Sequence, residues 1–499
     1  MAMAVLLVRA AMAFAQQPWS VDPSFQTAIV TENVNSMVLL DNGQLLLSGR
    51  MNFTNNPLLN NYGLIRLNAN GSRDATFPNA PVAAGGGNVI KPWADKYYII
   101  GGGGGLQRAH GDGLRDLSFQ LPADQYFTNE TINDFFVYPD GSVVVVGLFS
   151  LSYETEGYVG LYNMVWLTNS GSVDLSRPPR RGGNCDITKI VQQEDGKFIL
   201  SGNCVFWDGR PVGYTFRVDP SGVLDTSFVS AVAWGDAKSI TPLFDGRVIL
   251  SGLLKTTFSS QDTLHFVRLL PDGSIDETFN NELEIIQIPW ELPLWPNEPI
   301  YWGQFTRPRH QLISDGRIAV FGPYRTYDGE LRRGLAILDE NGFLEPDLDG
   351  PSGCGQFAYS SGTGEIDYIL GSIIGLLETG DGYIYVYGSF YGYHDGTTNY
   401  PQQRFISRLY GLDVGIAERR ALPPLQPYPN PAGGTFTLEL PLNAPAPLEL
   451  LDASGRVVHT QLLRPGTHSH TVQSALPAGV YLLRVQEAQG VRRGRVVVE

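Results

Sequence analysis

One interval recurs along this chain with little variation. A two-residue turn is followed, six residues after its second member, by a glycine. The turns are Asn42-Gly43, Asp95-Lys96, Asp140-Gly141, Asp195-Gly196, Asp245-Gly246, Asp315-Gly316 and Asp381-Gly382; the glycines are Gly49, Gly102, Gly147, Gly202, Gly252, Gly322 and Gly388. Apolar runs flank each turn, as Ile187–Val191 and Phe198–Leu200 flank Asp195-Gly196, which is the pattern of a β-hairpin. The turns lie 45 to 70 residues apart, the length of one four-stranded propeller unit. Seven such units predict an all-β chain whose main part is a seven-bladed β-propeller. The second unit departs most, with Lys96 where the others have the turn glycine. The recurring glycine marks a position where a side chain would obstruct the turn or the next blade.

A second signature, D-x-[ST]-F, follows the third apolar strand of most units. It occurs at Asp22–Phe25, Asp74–Phe77, Asp116–Phe119, Asp225–Phe228 and Asp276–Phe279, with weaker forms at Asp174–Arg177 and Glu345–Leu348. It reads as a short fourth strand whose aspartate caps a turn and whose phenylalanine packs between blades. The first copy precedes the first hairpin, and none follows the last third strand, Phe405–Tyr410. The expectation is closure: the N-terminal segment completes the seventh blade and leaves no open sheet edge.

Composition narrows the class of partner. Hydrophobic residues at 43%, with 57 glycines, 33 prolines and no long helical period, exclude a disordered or helical chain. A formal charge of −15 argues against nucleic acid and anionic membrane surfaces, which need clustered Lys and Arg. Residues Met1–Ala15 are apolar and end Ala13-Phe14-Ala15 before Gln16, the small-x-small pattern of a signal peptide, so no transmembrane segment is expected in the mature chain. Export bears on the three cysteines. Cys185 and Cys204 flank the hairpin that turns at Asp195-Gly196, which predicts a disulfide between neighbouring strands and leaves Cys354 as a thiol.

The propeller is expected over residues 16–414. A stiff linker follows at 415–427, containing Ala421-Leu-Pro-Pro-Leu-Gln-Pro427. Residues 428–499 carry five acidic and six basic side chains, so the negative charge belongs to the propeller. Their strand pattern, at Thr435–Leu440, Leu448–Asp452, Val457–Leu463, Val480–Gln486 and Val491–Val498, predicts a small Ig-like β-sandwich. The motifs Tyr428-Pro-Asn-Pro431, Leu450-Leu-Asp-Ala-Ser-Gly455-Arg456, Leu476-Pro-Ala-Gly479-Val-Tyr481-Leu-Leu-Arg484 and Arg495-Val-Val-Val-Glu499 resemble the C-terminal sorting domain of the type IX secretion system of Bacteroidota. That resemblance implies Sec export, handling by the type IX machinery through residues 428–499, removal of the tail, and a passenger secreted or anchored at the surface. The repeats over roughly 22–410 resemble the delta-60 repeats of bacterial propellers, which bring no assigned chemistry.

Catalytic motifs are scarce. Gly101–Gly105 completes neither G-x-G-x-x-G nor a Gly-Lys-[Ser/Thr] phosphate loop, and there is no G-x-S-x-G or H-E-x-x-H. Asp347-Leu-Asp349-Gly350 lacks the remaining ligands of a calcium loop. His468 and His470 share one face of a strand in the tail and read as solvent-facing. No catalytic residue, metal or cofactor is expected. The segment Ile288–Trp302 stands out through Trp290, Trp295, Tyr301 and Trp302. It belongs to one of two long inter-blade connections, 36 positions from Phe279 to Asp315 and 33 from Leu348 to Asp381, against 17 to 21 elsewhere. Both would emerge on the face that carries the second-to-third loops, where long loops on a rigid scaffold often carry function. The expected ligand contacts are therefore Trp290, Trp295, Tyr301 and Trp302, with Tyr324, Tyr327, Tyr391 and Tyr393 from nearby loops. A carbohydrate or protein ligand follows; the rival readings are a propeller enzyme acting on extracellular polysaccharide (a glycoside hydrolase or lyase) and a purely structural surface component.

Overall fold

The computed structural model describes residues 17–411 and 425–499, apart from 54–61, 79–86, 102–104, 122–127, 154–157, 178, 181, 183–184, 261–262, 282–284, 287–306, 325, 347, 349–351, 361–365, 441, 443–445, 453–456, 465–468, 474–475 and 488–489. Every described element is a strand. The chain separates into two compact units, one made of the repeats and one of the C-terminal segment.

Among the described residues of the first unit, seven antiparallel sheets built on three successive strands follow one another over residues 31–67, 87–110, 128–167, 187–218, 234–269, 309–338 and 372–410, the last joined by Gly353–Cys354 as a fourth strand. They are numbered here as blades 1 to 7. The first strand of each blade lies against the first strand of the next, and Ser372–Glu378 of the last lies against Thr31–Leu39 of the first. This ring of face-packed sheets is a β-propeller. Each sheet buries alternate faces against its two neighbours, so the core is divided among the seams, one of which holds Phe25, Met37, Leu47, Tyr385 and Ile406.

The fourth strand is a single bridge, and it is held by a side-chain clamp. In blade 2, Asp116 Oδ1 accepts hydrogen bonds from the Ser118 amide and hydroxyl, at 3.0 and 2.6 Å. Its Oδ2 pairs with Arg108, eight residues upstream on the third strand, at 2.6 Å. The same guanidinium sits 5.1 Å above the Phe119 ring. Burial opposes the Asp116 charge, but hydrogen bonds from Lys96, Ser118 and Arg108 hold its carboxyl well below the usual carboxylate range. Arg66–Asp74, Arg217–Asp225 and Arg268–Asp276 repeat the arrangement. The closing copy draws its two halves from opposite ends of the unit. Arg408 pairs with Asp22 at 2.7 Å and lies 5.1 Å over Phe25, while Val21 bridges Leu409. The N-terminal segment thus completes blade 7, as its motif predicts.

Blades 3 and 6 depart from this scheme in different ways. In blade 3 the cation and ring exchange places: Trp166 stands where the arginine would, and Arg177 stacks on it at 6.0 Å. In blade 6, Ile337 and Leu348 occupy those positions and are simply buried.

The recurring glycine has a closer cause than the expected clash with a neighbouring blade. In blades 1, 3, 4, 5 and 7 the first strand bulges there, and a Cβ on Gly202 would lie 2.1 Å from the Asp186 carbonyl oxygen of the same blade. Unit two also needs correction. Trp93 pairs with Lys96, so the turn is Ala94-Asp95, with Ala94 at φ 50, and Lys96 opens the second strand.

The second unit comprises a three-stranded sheet (Pro427–Tyr428, Thr435–Glu439, Ser469–Gln473) and a four-stranded sheet (Val457–Leu463, Ala446–Leu451, Gly479–Glu487, Gly490–Val498). They share one core of Phe436, Leu438, Leu448, Leu450, Leu483, Val485 and Val496. Asn430 ties the Tyr428–Pro431 motif to the last strand: its Oδ1 accepts from the Val497 amide at 2.8 Å, and its Nδ2 donates to the Arg495 carbonyl at 3.0 Å. His470 is buried rather than solvent-facing, because the strand alternation of Ser469–Gln473 turns it inward, where its Nε2 meets the Leu440 carbonyl at 2.9 Å. His468 lies outside the described residues.

Candidate ligand-binding site

First strands begin, and second strands end, on the face that carries the second-to-third loops. On that face, between blades 4 and 5, lies a hollow of about 200 Å3. It is lined by Asp186, Thr188, Gly202 and Asn203 of blade 4, Tyr214 at the start of its third strand, Trp234, Gly235, Asp236 and Leu253 of blade 5, and Arg307 from the approach to blade 6.

The wall on the blade 4 side is fixed by backbone and sulfur. Asp186 and Asn203 hold each other: the Asp186 amide donates to Asn203 Oδ1 at 2.6 Å, and the Asn203 amide donates to the Asp186 carbonyl at 3.0 Å. Directly outside this pair, Cys185 and Cys204 meet at disulfide-bonding distance with Cα atoms 4.8 Å apart. The Asp186 carboxylate accepts one hydrogen bond, from Asn133 Nδ2 at 2.6 Å. Burial raises its pKa above the ordinary aspartate value, and the nearby Asp236 charge adds to the rise against that hydrogen bond.

The opposite wall is aromatic and charge-balanced. Trp234 opens the first strand of blade 5, and its ring lies 5.9 Å from that of Tyr214 at an interplanar angle of 32°. The exposed Phe258 meets its edge at 6.1 Å, and Lys255 Nζ sits 5.3 Å above it. Asp236 is saturated: Lys238 Nζ at 2.5 Å and Arg307 Nη1 at 2.9 Å contact its Oδ2, and the Thr188 hydroxyl donates to Oδ1 at 3.1 Å. The hollow therefore combines ring surface, one carboxylate without an ion-pair partner among the described residues, and one neutralised carboxylate. Such a set can accept hydrogen bonds from a ligand and pack against its apolar face.

The contacts expected from the sequence fare differently. Trp290, Trp295, Tyr301 and Trp302 lie outside the described residues. Tyr324, Tyr327 and Tyr393 are 1%, 0% and 1% exposed and cannot be surface contacts. The reason is packing: Tyr324 and Tyr327 face each other at 5.8 Å under the blade 6 hairpin, with the Tyr324 hydroxyl donating to the Val320 carbonyl at 2.7 Å, and Tyr393 packs on Phe390. Tyr391 is half-buried at the closing seam, its hydroxyl donating to the Val30 carbonyl at 2.7 Å and its ring set edge-on to Phe405. The two long connections do share the expected face. Ile285–Ile286 pairs with Thr326–Tyr327 in the blade 6 loop, and Gly353–Cys354 pairs with Tyr393–His394 in that of blade 7. Sequence reasoning missed Asp186, Asn203, Tyr214, Trp234 and Asp236; the one local signal was Trp234-Gly235-Asp236, which opens the first strand of blade 5. Among the described residues, no group of three His, Cys, Asp or Glu side chains could hold a metal ion.

Comparison with known proteins places the two units. Residues 426–499 match the model of the secretion system C-terminal sorting domain. Residues 42–77 and 245–279 match a β-propeller domain of unknown function. Similar solved structures include the extracellular domain of a hybrid two component system protein from B. thetaiotaomicron (12% identity, 93% of this chain and 68% of that chain, TM-score 0.25). Others are BamB from Moraxella catarrhalis (13%, 76% and 83%, 0.34) and PorZ, a surface component of the type IX secretion system of Porphyromonas gingivalis (10%, 95% and 87%, 0.20). Likenesses at that level carry no argument about activity. No curated protein matches the sequence. The chain is a β-propeller protein with a type IX sorting domain at its C-terminus, sorted for secretion or for anchoring at the cell surface.

Proposed function

We propose that the mature protein is a seven-bladed surface binding module, with a carbohydrate or protein as ligand, engaged through the second-to-third-loop face. The observation that carries this reading is the hollow between blades 4 and 5, where the Tyr214–Trp234 rings stand beside the Asp186 carboxylate, which has no ion-pair partner among the described residues. A rigid ring presenting a lined depression suits recognition, and export puts that depression where extracellular polymers are met.

One observation favours a second reading, a polysaccharide-cleaving enzyme: two carboxylates share the hollow, and burial raises the pKa of one of them, as in acid–base pairs. Against it, Asp236 is held by two cations and a hydroxyl. The test is incubation of the mature chain with a panel of extracellular polysaccharides and surface proteins. Retention without new reducing or unsaturated ends is expected; appearance of product would favour the enzyme, and no retention by any member would overturn the binding reading.

A further inference from the structure

We infer that the hollow between blades 4 and 5 receives a single neutral sugar ring; the inference rests on the binding reading above and names its ligand. Size sets the first limit. About 200 Å3 is smaller than the roughly 300–1,000 Å3 of sites for drug-sized ligands, so the hollow itself holds about one ring.

Charge sets the second limit. Asp236 is neutralised by Lys238 and Arg307, whereas Asp186 has no cation within ion-pair distance among the described residues. The two carboxylates and the two cations around the hollow balance, and Lys238 also acts on Asp186 from beyond ion-pair distance, so the site favours neither an anion nor a cation. Hydrogen-bonding capacity then points to hydroxyls. Asp186 offers acceptor lone pairs beyond the one used by Asn133, and the Arg307 guanidinium lines the same hollow. A hydroxyl both donates and accepts, so adjacent hydroxyls on a ring can serve the two groups together. The Tyr214–Trp234 wall supplies an apolar surface for the C–H face of such a ring. A peptide could meet some of these conditions, but nothing in the hollow selects a backbone or a charged terminus.

The wall is also preorganised. The reciprocal Asp186–Asn203 hydrogen bonds, with Cys185 and Cys204 immediately outside them, fix the Asp186 backbone, and Asn133 Nδ2 holds its carboxylate at 2.6 Å before a ligand arrives. Gly235, at φ 115, lies so close to the paired strand that a Cβ there would be 2.0 Å from the Leu253 carbonyl oxygen.

The experiment is titration calorimetry on the mature chain with methyl glycosides of glucose, galactose and mannose, with glucuronate and glucosamine, and with a tyrosine-containing tripeptide. At least one neutral glycoside should bind, with the charged sugars about tenfold weaker or worse. Asp186→Asn, which keeps shape and removes charge, should weaken binding by about tenfold or more with an unchanged melting transition. Trp234→Ala should abolish binding, and Trp234→Phe should restore most of it. Failure of all three glycosides, equal affinity in D186N, or binding of the tripeptide alone would each overturn the inference. If a polysaccharide is retained equally by wild type, D186N and W234A, this site is wrong while the binding reading of the face stands. Retention of nothing overturns both.

Discussion

Blades 4 and 6 carry the same second-to-third hairpin, but among the described residues the lined hollow lies beside blade 4. In one, Phe206–Trp207 pairs with Arg210–Pro211 around Asp208-Gly209; in the other, Thr326–Tyr327 pairs with Glu330–Leu331 around Asp328-Gly329. Asp208 and Asp328 share a left-handed backbone, at φ 48 and 50, and both Trp207 and Tyr327 are fully buried. The difference lies in what arrives beside the hairpin. The long connection into blade 6 adds Ile285–Ile286 to the hairpin, and Gly353 bridges Arg333 on its far side. The connection from blade 4 into blade 5 is short, 17 positions from Phe228 to Asp245, so Asp186, Asn203, Trp234 and Asp236 stay reachable. Where described, the extra chain extends the blade 6 hairpin by one short strand and sends Arg307 to the hollow between blades 4 and 5.

The strongest test of this contrast is truncation of the two plugs. Trp207→Ala and Tyr327→Ala should each cost about 3–5 kcal/mol in denaturant unfolding, as buried aromatics do, while the folded fraction keeps its ligand affinity. A Y327A variant with wild-type stability and no binding would reverse the comparison. Closure should matter comparably: Asp22→Ala leaves Arg408 unpaired in a largely buried clamp and should cost about 3–5 kcal/mol.

The disulfide comes next. Cys185 and Cys204 are 19 residues apart, and removing both as serine should cost about 2–4 kcal/mol while loosening the Asp186 wall. Thiol counting on the oxidised, denatured chain should find one free thiol, Cys354; three would remove the bond from the account.

Acid should separate binding from folding. Asp74, Asp116, Asp225 and Asp276 are held below the ordinary carboxylate value, so their stabilisation is complete above that value, about pH 4, and is lost only as the pH falls through their lowered pKa values. Asp186 is shifted the other way and loses its charge at higher pH. Ligand affinity should therefore decline on acidification before the circular dichroism changes; coincident loss would mean that Asp186 does not serve the ligand. The smallest effect belongs to Glu345→Ala, within about 0.5 kcal/mol, since blade 6 has Ile337 in place of the clamp arginine.

The propeller was legible because its signals are local. An Asp-Gly turn, a glycine at a bulge and an Asx-type cap each act within a few residues, so the period survives in one sequence. The clamp was only half legible. Its aspartate and phenylalanine are adjacent, but its arginine is recognisable only once the third and fourth strands are paired, and for Asp22 the partner is 386 residues away. The hollow was illegible for the same reason in stronger form, being assembled from separate segments around residues 186, 203, 214, 234 and 307. Tyr324, Tyr327 and Tyr393 misled because aromatic loop residues look alike in sequence whether they face solvent or plug a blade.

The most direct test of the account is hydrogen exchange on the mature chain with and without the polysaccharide that it retains. Protection is expected at amides around 186–188, 203 and 234–236 of blades 4 and 5, with the polymer recovered intact. Protection confined to the long connections into blades 6 and 7, or cleavage of the polymer, would contradict it.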